Sequence, residues 1–173
     1  MKRLFTSVTL VALAGVYAYA QTAATPVSEM KQAWNSLKVN LVRLAEKMPE
    51  ENYSFRPVPE IRSFAEMIAH ISDSQVRACS AVRGVPRQGT AASLKSKTDL
   101  VAALKASVKE CDAAWESVTD ANAGEIIKTA RGERTRLGAM AVFVLAHSNE
   151  AYGYAAVYLR LKGIVPPSSE PRQ

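Results

Sequence analysis

The residues of this sequence with the clearest chemical potential are its two histidines, His70 and His147. Each lies in the middle of a segment whose apolar residues recur at helical spacing, so we expect both imidazoles on helices. Neutral imidazole is the commonest metal ligand in proteins, and helical bundles build metal sites from side chains on facing helices. The alternative is a pair of half-buried histidines that are hydrogen-bonded to their neighbours, and spacing does not separate the two.

A third candidate ligand is Glu150, which follows His147 by three residues. That H-x-x-E spacing places both side chains on adjacent positions of one helical face. Two imidazoles hold zinc only when further ligands complete the coordination shell, and Glu150 is the nearest side chain that could do so. The alternative is that Glu150 is a solvated surface carboxylate.

The segment that carries His147 and Glu150 is predicted to be one long helix over residues 137–163. Gly163 takes the position after its last turn, and two prolines follow. Alternating spacings of four and three place six residues on one stripe, so His147 is expected to point inward with the apolar side chains. The stripe consists of Met140, Val144, His147, Ala151, Tyr154 and Tyr158.

Three more amphipathic helices are predicted, over residues 28–48, 63–83 and about 97–120. Ser28 is the predicted cap of the first, and a Ser63–Glu66 capping box starts the second. The Pro-rich segment 49–62 is expected to be a folded loop, and 130–133 suggests the turn of a short hairpin. Four single-stripe helices predict an all-α protein, a four-helix bundle.

The N-terminus has the pattern of a secretory signal peptide. Lys2 and Arg3 precede an apolar run that ends in Ala18-Tyr19-Ala20, which predicts cleavage before Gln21 and export to the periplasm or medium. The run is too short and too polar for a membrane anchor, so we expect no anchor in the mature protein. Residues 21–27 are expected to be a flexible leader, and 169–173 a disordered tail.

Composition excludes some partners. The chain has 22 basic and 16 acidic side chains. Loss of Lys2 and Arg3 with the signal peptide leaves a modest excess of four positive charges. No basic patch with interleaved aromatic residues occurs, so we expect no nucleic-acid partner. The sequence indicates no catalytic nucleophile and no nucleotide or other organic cofactor site, because it lacks a G-x-S-x-G elbow and a phosphate loop.

The two cysteines, Cys79 and Cys111, both fall on apolar helical faces. An oxidising compartment would permit a disulfide between them, and free cysteine is also a common small core residue. The sequence leaves both possibilities open.

Two stretches carry a family resemblance: ENYSFRPVPEIRSFAEMIAHI, which ends just after His70, and HSNEAYGYAAVYLRLKGIVPPS, which begins at His147. Together they resemble the DinB-like (DinB/YfiT) superfamily over residues 28–168. The resemblance implies a four-helix bundle of metal-dependent enzymes, which include low-molecular-weight-thiol transferases, hydrolase-like members and an isomerase that uses such a thiol. It also implies a divalent metal, such as zinc or nickel, held by three histidines.

Carried onto this sequence, the family's ligands fall on His70, His147 and Ala151, so the third position lacks a ligand. Tyr154 also replaces an amide side chain that is usual after the glycine at 153. The first hypothesis is therefore a degenerate site that binds a small molecule or a protein partner. The alternative is an active metalloenzyme that uses His70 and His147 with Glu150 or an exogenous ligand. A structural or interaction role without a pocket, and a homodimer, remain open.

Overall fold

Four long helices run through residues 24–171, the part of the chain that the computed structural model describes. The predicted four-helix, all-α fold is confirmed. The predicted signal peptide, 1–20, lies outside the described residues, and none of the described helices is long and apolar enough to cross a bilayer. The helices are α1 (Pro26–Lys47), α2 (Phe64–Val82), α3 (Lys97–Ser117) and α4, which spans residues 136–161.

Side-chain caps determine where these helices start. The predicted capping box of α2 is present: the Glu66 backbone N–H donates to the Ser63 hydroxyl at 3.3 Å, and the Ser63 N–H donates to the Glu66 carboxylate at 2.7 Å. The predicted start of α1 is wrong. Thr25, not Ser28, is its N-cap, and Pro26 takes the first helical position, where proline loses no hydrogen bond. The segment predicted as a flexible leader thus contributes residues 26 and 27 to α1.

Buried apolar side chains form two clusters at opposite ends of the bundle. The Phe64 cluster includes Leu41, Leu44, Phe64, Ile68, Leu100, Leu104, Ala151, Ala155 and Tyr158. The Trp34 cluster includes Val27, Trp34, Cys79, Val108, Cys111, Trp115, Met140 and Val144. In α1 and α4 the chain runs from the Trp34 cluster to the Phe64 cluster, and in α2 and α3 it runs in the opposite direction. The bundle is therefore up-down-down-up.

Because α2 and α3 run in the same direction, residues 83–96 must return along the bundle. Asp73, in the middle of α2, holds this segment by accepting hydrogen bonds from the backbone N–H groups of Ala91 at 2.7 Å and Ala92 at 3.1 Å. Gly89 lies against the same carboxylate, where an added Cβ would be 2.2 Å from its oxygen. The segment between α2 and α3 is thus a fixed crossover.

The Pro-rich segment is a folded loop, as predicted, and aromatic side chains anchor it. The Tyr53 hydroxyl donates to the Ala45 carbonyl at 2.7 Å, and the Phe55 ring meets the Tyr158 ring edge-on at 6.1 Å. The Tyr158 hydroxyl then donates to the carbonyl of Arg62 at 2.6 Å. The loop is therefore fixed between the end of α1, the start of α2 and the C-terminal half of α4.

The suggested hairpin is also present, with β1 (Ile126–Thr129) antiparallel to β2 (Gly132–Thr135). Its turn places Gly132 at φ +98°, a conformation that favours glycine. Thr135 caps the last helix, because its hydroxyl accepts from the Gly138 N–H at 3.0 Å. At the other end of the chain, Glu170 forms ion pairs with Arg43 and Lys47. The tail predicted as disordered from 169 is thus held on α1 as far as Glu170.

The structure resolves the question that the sequence left open for the cysteines. Cys79 and Cys111 form a disulfide that joins α2 to α3 with a Cα–Cα distance of 5.0 Å. Both residues are fully buried in the Trp34 cluster.

Removal of this bond should destabilise the protein. The disulfide closes a loop with a sequence separation of 32 residues, for which the loss of unfolded-state entropy predicts about 3–4 kcal/mol. We expect the double variant C79A/C111A to unfold at a lower urea concentration than the wild type. Reductant in the urea series should remove most of that difference. Equal midpoints of the wild type with and without reductant would contradict the prediction.

Candidate functional site

The site begins with an irregularity in α4. This helix consists of an α-helical segment, Arg136–Ala139, a π-helical segment, Met140–Ala146, and an α-helical segment, His147–Leu161. The backbone N–H of His147 donates to the carbonyl of Val142, five residues earlier. π-Helical turns are rare in proteins, and those that occur often lie at functional sites.

The π-helical segment changes which residues of α4 face the core. Met140, Val144 and Ser148 are fully buried at successive spacings of four, whereas His147 is only half-buried and Tyr154 is 56% exposed. The predicted stripe, which placed His147 and Tyr154 inward, is therefore wrong at those two positions, because it assumed a regular α-helix throughout. The extra residue in the turn rotates His147 to the flank of α4.

A buried polar layer fixes this rotation. The side-chain amide NH₂ of Gln75 on α2 donates to the Ser148 hydroxyl at 3.1 Å. The Ser107 hydroxyl on α3 donates to the side-chain Oε1 of Gln75 at 2.8 Å. All three residues are buried, and they lie between the Phe64 and Trp34 clusters. Because a buried polar group without a partner destabilises the fold, this layer sets the mutual register of the three helices.

The same register brings the two histidines into contact. The Nε2 atoms of His70 on α2 and His147 on α4 are 3.1 Å apart, and the rings meet edge-on with centroids 5.0 Å apart. The proximity that the sequence predicts for these imidazoles is thus present. At this distance one Nε2–H donates to the other Nε2, which requires at least one neutral ring.

Partial burial keeps both imidazoles neutral. Desolvation is the largest cause that lowers the pKa of His70, to about 4, and the positive charges of Arg62 and Arg77 add to it. Burial also lowers the pKa of His147, where the neighbouring Glu150 carboxylate acts in the opposite direction. The pair is therefore uncharged near neutral pH.

Hydrogen bonding determines which nitrogen of each ring carries the proton. The Nδ1 atom of His147 is buried and has no hydrogen-bond partner among the described residues. A proton on that atom would be a buried, unsatisfied donor, so the favoured tautomer of His147 carries its proton on Nε2. His147 then donates to His70, whose own proton lies on Nδ1.

The donor set only partly fits a metal ion. Two nitrogens bound to a tetrahedral zinc at about 2.0–2.1 Å would lie about 3.3 Å apart, close to the separation of this pair. Within residues 24–171, however, no three His, Cys, Asp or Glu side chains are grouped closely enough to hold a metal. The exposed Glu150 carboxylate accepts from the Tyr154 hydroxyl at 3.3 Å instead of joining the pair. Ala151, one turn after His147, is buried in the Phe64 cluster and offers only a methyl group.

Two clefts flank the histidine pair. The hairpin cleft, a cavity of about 470 Å³ between α2, the β-hairpin and α4, is lined by Arg77, Arg131, Phe143, His147 and Glu150 among others. The loop cleft, of about 630 Å³, lies along the loops that precede α2 and α3 and includes His70 in its lining. Arg77 borders both clefts. The pair thus lies where a bound small molecule would reach it from either side.

Sequence reasoning did not identify Arg77, Arg131 or Phe143 as site residues. The only sequence signal was a small basic cluster at 131, 134 and 136. Of these three, Arg131 lines the cleft, where it is placed by the hairpin, in which Thr129 pairs with Gly132.

Comparisons with known proteins agree with this architecture. The family model described as the DinB superfamily matches residues 33–155, and the chain belongs to that superfamily. The crystal structure of a DinB-like protein from Bacillus cereus ATCC 10987 is similar, with a TM-score of 0.68 and 15% sequence identity. The match covers 80% of this chain and 93% of that one. At this identity the likeness shows the fold alone, and a search of the curated proteins finds no match.

The neutral histidine pair predicts how stability depends on pH. The unfolded chain binds protons at both imidazoles near pH 6.5, whereas folding lowers the pKa of His70 to about 4. The contribution of neutral His70 to the free energy of unfolding is therefore fully present above pH 6.5. It falls as the pH decreases from 6.5 to 4 and stays constant below pH 4. Urea unfolding at pH 7, 5 and 4 should show the wild type losing more stability than His70→Gln. Parallel losses in the two proteins would contradict the prediction.

The polar layer predicts a localised stability cost. Gln75→Leu removes the hydrogen bonds that the Gln75 amide makes with the Ser107 and Ser148 hydroxyls, and we expect the free energy of unfolding to fall by about 2–3 kcal/mol. The same chemical change at the exposed Gln32 is the matched control, with an expected effect within about 0.5 kcal/mol. Thermal and urea unfolding measure both. An equal effect of the two substitutions would show that the layer is not a structural determinant.

Proposed function

We propose that this member of the DinB superfamily is an exported small-ligand-binding protein whose metal site is degenerate. In this proposal His70 and His147 form a neutral hydrogen-bonded pair and not a tight metal centre. A small molecule occupies the clefts on either side of the pair. The observation that carries the proposal is that Ala151, whose buried side chain is only a methyl group, occupies the third ligand position.

The protonation of the pair supports this proposal. To bind one metal, both Nε2 atoms must be unprotonated, so the proton of His147 would have to move to Nδ1. Metal-bound histidines normally donate that second N–H to a carboxylate, carbonyl or water. The Nδ1 atom of His147 has no such acceptor among the described residues, so metal binding would leave a buried donor unsatisfied.

The clefts support a binding role. They contain apolar surface together with converging polar and charged groups, which is the usual composition of small-molecule sites. They border both histidines, which counts against a protein whose role is purely structural. The disulfide between Cys79 and Cys111 supports export, because such bonds persist in oxidising compartments.

The alternative function is a divalent-metal enzyme in which His70 and His147 are joined by Glu150 or by an exogenous ligand. Its support is the 3.1 Å separation of the two Nε2 atoms and the presence of Glu150 in the same cleft as His147. A bound zinc or nickel would supply Lewis acidity there and lower the pKa of a coordinated water or thiol. This alternative requires that His147→Ala lose the metal, and unchanged metal content in that variant would exclude it.

Zinc binding by the wild type and Ala151→His distinguishes the two functions. We expect weak binding by the wild type and binding at least tenfold tighter by the variant, since a third imidazole one turn after His147 completes the ligand set. Titration calorimetry and elemental analysis of the dialysed proteins measure this. Gly153→His is the matched control, because it adds the same side chain at an exposed position with no neighbour within 4 Å of the new Cβ.

Circular dichroism would verify that the variants are folded, and Ala151→Asp provides a smaller ligand if histidine disturbs the core. Stoichiometric, tight zinc in the wild type, equal to that of Ala151→His, would refute the degenerate-site proposal.

A further inference from the structure

The hairpin cleft has one strongly charged wall. Its lining includes the guanidinium groups of Arg77 from α2 and Arg131 from the hairpin turn, together with a single carboxylate, that of Glu150. Among the lining residues, two cations and one anion leave an excess of one positive charge, and the Arg134 guanidinium lies 5.0 Å from the ring of the lining residue Phe143. The cleft is therefore electrostatically suited to an anionic ligand.

These arginines differ from most others in the protein. Within residues 24–171, neither Arg77 nor Arg131 is within ion-pair distance of a carboxylate. Arg77 donates one hydrogen bond to the Ser74 hydroxyl at 3.0 Å, and its other N–H groups are available. Five arginines elsewhere do pair with glutamates: Arg43, Arg56, Arg83, Arg87 and Arg136. Two of the guanidinium groups that have no carboxylate partner among the described residues, those of Arg77 and Arg131, thus line the cleft beside the histidine pair.

The hairpin holds its arginine over an aromatic ring. The Arg131 guanidinium carbon lies 5.6 Å from the centroid of the Phe143 ring, and that of Arg134 lies 5.0 Å from it. Stacking on an aromatic face restricts the guanidinium without using its hydrogen-bond donors. Arg131 is thereby restricted in the lining of the cleft and remains able to bind an oxyanion.

Much of the remaining lining is apolar. Phe143, Val142 and Ala146 from α4 face Ala78 and Ala81 from α2. Val142 is 43% exposed, so its apolar surface is accessible to a ligand in the cleft. An apolar floor beside two guanidinium groups is complementary to a molecule that has an apolar body and an acidic end.

We propose that the hairpin cleft binds a small amphipathic carboxylate, whose carboxyl group pairs with Arg77 and Arg131 and whose apolar body lies on Phe143 and Val142. This proposal rests on the proposed small-ligand function and specifies the ligand class. A carboxylate fits better than a phosphate ester, because a second negative charge would lie in the same cavity as the Glu150 carboxylate. Bidentate pairing with planar guanidinium groups is the recognition that arginine provides for carboxylates.

The test uses four probes that share one ring: 4-fluorophenylacetate, the neutral 2-(4-fluorophenyl)ethanol, the cationic 2-(4-fluorophenyl)ethylamine and 4-fluorophenyl phosphate. Binding to the purified protein with its disulfide intact is measured by fluorine NMR titration. We expect the carboxylate to bind at least tenfold tighter than the alcohol or the amine, and tighter than the phosphate.

Variants of single residues test which positive charges the bound carboxylate requires. We expect Arg77→Gln and Arg131→Gln each to weaken the carboxylate about tenfold and to leave binding of the alcohol unchanged. Arg160→Gln is the matched control, because Arg160 is also exposed but lies near the end of α4, outside the cleft lining. Phe143→Leu should weaken all the probes. Both arginines are exposed, so their substitution leaves the core intact.

Each contrary result has a distinct meaning. If the alcohol, amine or phosphate binds as well as the carboxylate and Phe143→Leu weakens it, the ligand class is wrong and the small-ligand function stands. If Arg160→Gln weakens the carboxylate as much as Arg77→Gln does, the proposed site is wrong. If none of the four probes binds at millimolar concentration, both the ligand class and the small-ligand function fail.

Discussion

The hydrogen bond between the Gln75 amide and the Ser148 hydroxyl controls the geometry of the whole site. It connects α2 to α4 at mid-height, in a layer that the Ser107 hydroxyl completes from α3. Because both partners are buried, a different rotation of α4 would leave polar groups unsatisfied in the core. With Ser148 directed inward, His147 must lie on the flank of α4, where it meets His70 at 3.1 Å. The polar layer thus determines where the histidine pair forms.

The chemistry of the pair follows from its surroundings. Burial and nearby arginines lower the pKa values of both imidazoles, and the lack of an acceptor at His147 Nδ1 selects a tautomer that donates to His70. The methyl group of Ala151 lies where the superfamily resemblance implies a third ligand. These features favour a neutral pair at the border of two clefts. The unpaired guanidinium groups of the hairpin cleft then make an anionic ligand the natural occupant beside it.

Much of the fold could be predicted from the sequence, because apolar spacing and side-chain caps are local signals. The helices, the Ser63–Glu66 capping box, the Thr135 cap and the hairpin follow from such signals. The facing of His147 and Tyr154 could not be predicted in this way, because it depends on a π-helical segment that ordinary helical spacing does not reveal. The disulfide required the relative position of α2 and α3. Arg77 and Arg131 are distant in sequence and become neighbours of one cleft only when the hairpin folds against α2.

The proposed function depends on a neutral hydrogen bond between His70 and His147 in place of a metal ion. Crystals of the protein grown with one equivalent of zinc, with data collected on both sides of the zinc absorption edge, would reveal any metal at this position. We expect no anomalous peak between the two Nε2 atoms and a separation of these atoms close to 3.1 Å. A fully occupied zinc peak within about 2.0–2.1 Å of both nitrogens would contradict it.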